Sequence, residues 1–178
     1  MNTKARKKTR YLTEAGLIAT LYVTLTLISS AIGLSSGAVQ CRLGEALCLL
    51  PVLTPAAIPG VTLGCLISNL ITTASIFDIT IGSAATLIGA AGAYLLRRGR
   101  LRYIASAPTV IANAVSVPLI LKLMGTPDIV WYFTALAVAA GELISCTVLG
   151  GLLLTVCDKS GISRTLTRAE DGKTDDKI

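Results

Sequence analysis

Apolar residues run along this chain in blocks, divided by short breaks rich in polar residues, glycine and proline. Blocks of about twenty match the helix length that crosses a hydrocarbon layer ~30 Å thick, so the pattern predicts transmembrane helices. The first helix covers about 12–32, and Gly33-Leu34-Ser35-Ser36-Gly37 follows as a loop of turn formers. A second apolar region, about 39–75, is interrupted by Pro51, Pro55 and Pro59. Beyond a polar break at Ser75 to Thr80, a helix covers about 79–96, followed by the cluster Arg97-Arg98-Gly99-Arg100-Leu101-Arg102. Another helix spans about 103–124, Gly125-Thr126-Pro127-Asp128 makes a turn, and a last helix runs about 129–156. Residues 158–178 are polar and mixed in charge, which predicts a disordered tail.

The basic clusters set the number of crossings. Lys4, Arg6, Lys7, Lys8 and Arg10 precede the first helix, as in a cytoplasmic flank. If 39–75 crossed once, the arginines at 97–102 would lie outside. If it crosses twice, at about 39–54 and 56–74, they return inside, and the last two helices bring the C-terminus inside as well. The reading is therefore all-α: an integral membrane bundle of six helices with both termini cytoplasmic. Residues 1–10 form a basic N-terminal segment, 11–157 the membrane domain and 158–178 the tail. The second helix is its weakest element, being short and proline-ended, with a re-entrant path as the alternative.

Composition narrows the chemistry. Of 178 residues, 53% are hydrophobic and 15% charged, so the net charge of +6 belongs to membrane flanks rather than to a nucleic-acid surface. The apolar part of the first helix is too long for a signal-peptide core, so this helix is read as retained. There is no histidine, which removes His-assisted nucleophiles and His-ligated metal sites. Cys41, Cys48, Cys65, Cys146 and Cys157 form no CxxC pair and read as small packing residues. Gly172-Lys173-Thr174 lacks the earlier glycine and preceding strand of a phosphate-binding loop. No cofactor, metal site or enzymatic motif is expected, so any active transport draws on a partner or an ion gradient.

Against this background the interior polar residues are few: Arg42, Glu45, Asn69, Asn113 and Glu142, with Asp78 and Asp128 in outer loops. Arg42 and Glu45 stand three apart and would share one face of a helix. A charge in hydrocarbon costs about 2.5–3.5 kcal/mol on insertion scales, so charges there pair, reach water or meet a ligand. Most of the set falls toward the outer side, which suggests an outward-opening pocket. Pairing Arg42 with Glu45 leaves Glu142 and Asp78 as surplus carboxylates, suited to a cation or to a ligand rich in N–H donors. Glu142 as a proton relay is the competing reading, and a purely structural Arg42–Glu45 pair is another. Trp131-Tyr132-Phe133 suits an interfacial belt or a stacking platform, and Asn69 and Asn113 suit interhelical bonds or ligand contacts. Lys122 snorkels to the interface. Small residues at four-residue spacing (Ala15 and Ala19; Gly60, Gly64 and Ser68; Ala85, Gly89 and Ala93) predict close helix packing.

The run Val39-Gln40-Cys41-Arg42-Leu43-Gly44-Glu45-Ala46-Leu47-Cys48-Leu49-Leu50-Pro51 resembles the Q-x-R-x-x-E-A-L-x-L-L-P signature of the QueT family. Thr54 to Gly60, continuing through Gly64 to Leu70, and Ala140-Gly141-Glu142-Leu143-Ile144 are similar to its further patterns, and the likeness covers about 11–157. The resemblance implies the substrate-binding (S) component of an energy-coupling-factor transporter for a deazaguanine queuosine precursor, in a prokaryotic cytoplasmic membrane. It implies a transmembrane coupling protein and two ATPase subunits as partners, with Ala15 and Ala19 matching the alanines that face the coupling protein. Cys41, Gly44 and Cys48 depart from the family pattern, where larger or hydroxyl-bearing residues are expected.

A guanine-like edge offers N1–H and a 2-amino group to one carboxylate, and an aminomethyl substituent would meet a second. Glu45 or Glu142 would read the edge and the other the amine. Arg42 or Gln40 would donate to the carbonyl, Trp131 or a tyrosine would stack, and the 33–38 loop would act as a lid. The expected substrate-binding set is thus Gln40, Arg42, Glu45, Asn69, Asp78, Asn113, Trp131 and Glu142. An S component for another vitamin-like ligand and an autonomous proton- or ion-coupled carrier are the alternatives.

Overall fold

A computed structural model of the chain describes residues 3–34, 41–72, 75–125, 128–163 and 166. Every regular element among the described residues is helical. The α-helices are α1 (Thr3–Ala31), α2 (Ala57–Thr72), α3 (Ser83–Leu95), α4 (Ala107–Leu123), α5 (Asp128–Glu142) and α6 (Gly150–Lys159). Between them lie two 3₁₀ segments, Leu43–Val52 and Gly99–Ile104, and two π-helical stretches, Asp78–Gly82 and Leu143–Leu149. The stretches Ala5–Ala31, Asp78–Leu95 and Tyr132–Lys159 are long and apolar enough to cross a membrane.

The exterior is apolar. Leu12, Leu17, Leu21, Ile88, Ile111 and Leu136 are all exposed large hydrophobics, the reverse of a soluble surface and the pattern of a lipid-facing one. Hydroxyls on that surface are satisfied locally. Thr20 and Thr24 donate to the carbonyls of Gly16 and Thr20 at 2.9 Å, and Thr155 to that of Gly151, which lets threonine sit on a lipid-facing helix.

Glycines set the closest helix contacts. A Cβ at Gly60 would stand 2.9 Å from the Ala15 carbonyl oxygen, and one at Gly64 would stand 2.6 Å from the Tyr22 Cβ. The Ala15/Ala19 and Gly60/Gly64 stripes therefore interlock, and α1 lies along α2. Gly89 and Gly92 do the same for α3 and α4, with Thr109 and Pro108 as neighbours. α1 and α2 run in the same direction, Ala15 facing Gly60 and Tyr22 facing Gly64, and Tyr11 donates to the Pro55 carbonyl while Arg102 pairs with Asp158. Lys7 and Arg10 line a cavity with Pro55 and Leu166, and Arg97 and Arg102 line one with Asp158, eight residues before Leu166, so these basic residues gather at one end.

Several elements differ from the sequence reading. The second helix is a 3₁₀ segment of ten residues, packed against α1, α2, α3 and α6 at the centre of the core. Pro51 lacks an N–H and its ring crowds the carbonyl four residues back, which disfavours a regular α-helix across it. The i→i+3 bonds at Glu45→Arg42 and Leu53→Leu50 replace the α pattern. The basic segment is no separate piece, since α1 begins at Thr3 and Arg10 pairs with Glu14 at 2.8 Å. The last helix is one rod of α5, a π stretch and α6. Order also continues into the proposed tail: Asp158 pairs with Arg102, and Leu166 packs against the core. Residues 167–178 lie outside the described residues, as does most of the proposed 33–38 lid.

Candidate functional site

The site starts from Glu45, in the first turn of the 3₁₀ segment and 2% exposed. Both of its carboxylate oxygens are held. The Tyr22 hydroxyl, from α1, donates to Oε1, and the Cys48 thiol, one 3₁₀ turn on, donates to Oε2 at 3.0 Å. Tyr22 has its place because Gly64 is a glycine, where a Cβ would run into the Tyr22 side chain; a Cβ at Gly44 would collide with the Thr26 hydroxyl and crowd Tyr22. Arg42 departs from the expected shared helix face. Its backbone is extended (φ −100°, ψ 112°) just before the 3₁₀ segment, and its guanidinium donates to Asn69 Oδ1 on α2 at 3.2 Å. Among the described residues no carboxylate lies at ion-pair distance from Arg42, so the intrahelical Arg42–Glu45 pair does not form.

Glu142 forms the opposite wall. It ends α5 and is 6% exposed. Asn113 on α4 lines the same cavity, while Glu142 Oε2 is buried with no partner among the described residues. Asp78 opens the π stretch ahead of α3 instead of lying in a loop, and its carbonyl accepts from Asn69 Nδ2 at 3.0 Å. Asn69 thereby ties Arg42 to the start of the apolar stretch Asp78–Leu95. Both π stretches adjoin the site, one beginning at Asp78 and the other following Glu142. The wider π turn re-aims side chains relative to the α-helices on either side.

Six of the expected residues therefore converge: Arg42, Glu45, Asn69, Asp78, Asn113 and Glu142 line one cavity. Its volume is ≈30 Å³, room for a water or two and far below the ~300 Å³ of a pocket for a small organic ligand. In this conformation the site is too small to hold such a ligand. Gln40 lies outside the described residues. Trp131 falls in α5, with its side chain outside the described set. Ala15 and Ala19 are 7% and 8% exposed. Their face is turned to α2, so the open flank of α1 is formed by Leu12, Gly16, Leu17, Thr20 and Leu21.

Sequence reasoning missed Tyr22, Cys48, Cys65, Thr86 and Ser116. Cys65, Thr86 and Ser116 line the cavity, and Thr86 donates to Cys65 Sγ at 3.2 Å. A signal existed for Tyr22, a phenol in the middle of an apolar helix, because its hydroxyl needs a partner at that depth. Ser116 lies one turn from Asn113 and shares its face. Nothing local in the sequence marks Thr86.

The site thus combines one guanidinium with two buried carboxylates and amide groups, in a protein whose exterior is made for lipid. Such a set recognises a polar solute or handles a proton. No curated protein and no solved structure matches the chain significantly. The model of one family, described as QueT transporter, matches residues 12–159. Matched over most of its length and built as an apolar helical membrane protein, this chain belongs to the QueT transporter family.

Proposed function

We propose that this membrane transporter is the substrate-capture subunit of an energy-coupling-factor importer and takes up a 7-deazaguanine queuosine precursor. The observation that carries the reading is the unpartnered Glu142 Oε2, buried at a small cavity that Glu45 and Arg42 also line. A buried carboxylate oxygen without a donor is costly, and an N–H edge would satisfy it. Glu45, already held by Tyr22 and Cys48, is the fixed wall. Glu142 reads the N1–H and 2-amino pair, and Glu45 meets the substituent amine. Arg42 donates to the ligand carbonyl.

The chain crosses the membrane six times, with the 3₁₀ segment as the second pass. Supporting this path, Glu45 lines the polar site while Leu49 lines a cavity with Arg97 and Arg102 at the basic end. By the positive-inside rule that end is cytoplasmic and carries both termini. The coupling protein docks along the open flank of α1 beside Ala15 and Ala19, and two ATPase subunits energise it. Calorimetry on the purified chain tests the assignment. A cyano- or aminomethyl-deazaguanine should bind while thiamine and riboflavin stay silent, and silence across the panel from folded protein would remove the substrate.

The small volume of the site favours a second reading, a proton- or ion-coupled carrier working alone with Glu142 as its proton site. Uptake abolished by a protonophore and indifferent to loss of the ATPase subunits would select it.

A further inference from the structure

A second cavity lies at the basic end, sixteen residues down the α5–α6 rod from Glu142, or roughly 24 Å at ~1.5 Å per residue. It measures ≈470 Å³ and is lined by Arg97, Arg102, Ser106, Thr147, Thr155 and Asp158 above an apolar floor of Leu49 and Leu154. It differs in sign from the first site: two guanidiniums face one carboxylate. Its cations are held in place. Arg97 stacks over the Tyr94 ring, 4.0 Å from the centroid, a geometry that fixes the guanidinium plane. Arg102 Nη2 donates to Asp158 Oδ2 at 2.8 Å, which uses one edge of a fork that carries five donors. Asp158, the cavity's one carboxylate, is thus already engaged. Between the arginines and the floor, the Thr147 hydroxyl donates to Ser106 Oγ at 3.0 Å.

A cavity with positioned guanidiniums, hydroxyls and an engaged carboxylate suits an anion with several acceptor oxygens. The geometry points to a site for a phosphoryl anion at this end of the molecule, of the phosphodiester class carried by anionic phospholipids. The rim favours the lipid as the source. Leu101, Leu152 and Val156, each next in sequence to a lining residue (Arg102, Gly151 and Thr155), are exposed, so a headgroup entering the cavity would leave its acyl chains on an apolar surface. Basic pockets between membrane helices are suited to such headgroups. The inference does not depend on the substrate of the first site.

The test uses the full chain, delipidated in detergent and titrated at matched ionic strength with phosphatidylglycerol, phosphatidylcholine or inorganic phosphate. Bound lipid is read by native mass spectrometry and stability by thermal unfolding. One phosphatidylglycerol should be retained and should raise the unfolding temperature, with phosphatidylcholine silent. Arg97→Gln, which leaves the Arg102–Asp158 pair intact, should weaken that binding about fivefold, in line with ~1 kcal/mol per basic residue. Asp158→Asn removes the opposing charge and should tighten it, an effect that a merely structural role would not produce. Inorganic phosphate competing with the lipid would support the phosphoryl site and identify a soluble compound as its source. Equal binding of the two lipids, or phosphatidylglycerol affinity unchanged in Arg97→Gln, would overturn the site.

Discussion

Replacing Glu142 by glutamine separates recognition from folding. The substitution keeps shape and volume and removes one carboxyl group from a cavity lined by three, together with one guanidinium. If Glu142 accepts two N–H donors from the ligand edge, glutamine keeps one acceptor and sets an NH2 against the other donor. Hydrogen bonds to charged groups contribute about 1.5–3 kcal/mol. The loss should therefore come to about 3 kcal/mol, or a dissociation constant raised about 150-fold. The ligand-free protein should respond differently, because the replaced oxygen has no partner among the described residues and a neutral amide is cheaper to bury than a carboxylate. Its unfolding temperature should hold or rise. Calorimetry with an aminomethyl-deazaguanine and thermal unfolding of the same preparation read the two effects. A dissociation constant within threefold of wild type would refute the assignment of Glu142 to the ligand edge. A collapse of the ligand-free protein would mean that its carboxylate is structural.

Three further outcomes are expected. Tyr22→Phe removes the donor to Glu45 Oε1 and should lower stability by about 1–3 kcal/mol and weaken ligand binding; unchanged unfolding and affinity would show that the bond is dispensable. Gly64→Ala places a methyl 2.6 Å from the Tyr22 Cβ and should cost about 1–3 kcal/mol by overpacking α1 on α2. Gly16→Ala, with nothing within 4 Å, should be neutral or gain about 0.5–1 kcal/mol, and the thermal unfolding pair decides the contact. In a variant that retains only the partly exposed Cys157, a membrane-impermeant maleimide should label inverted vesicles and spare right-side-out ones. The opposite labelling would reverse the proposed orientation.

Blocks of apolar residues, with proline and glycine at their edges, were enough to specify a helical membrane protein, because crossing length and backbone satisfaction are local requirements. Rarity of charge in those blocks likewise marked Arg42, Glu45, Asn69, Asn113 and Glu142, and all five reach one cavity together with Asp78. Spacing alone was less reliable about geometry. The three-residue separation of Arg42 and Glu45 implies a shared face only if the backbone is α-helical, and Pro51 with a 3₁₀ segment removes that condition. The alanine stripe likewise shows that α1 is approached closely without saying by what, and the neighbour is α2.

What the sequence determined by itself is therefore the solvent, the helices and the identity of the residues too costly to bury for nothing, since each follows from transfer energies along the chain. Only the tertiary structure decided which carboxylate oxygen is already satisfied, which helix each small-residue stripe meets and how far the site stands open. Those depend on partners distant in sequence, as Tyr22 is from Glu45 and Asn69 from Arg42, and on π and 3₁₀ turns that rotate side chains off the regular helical period.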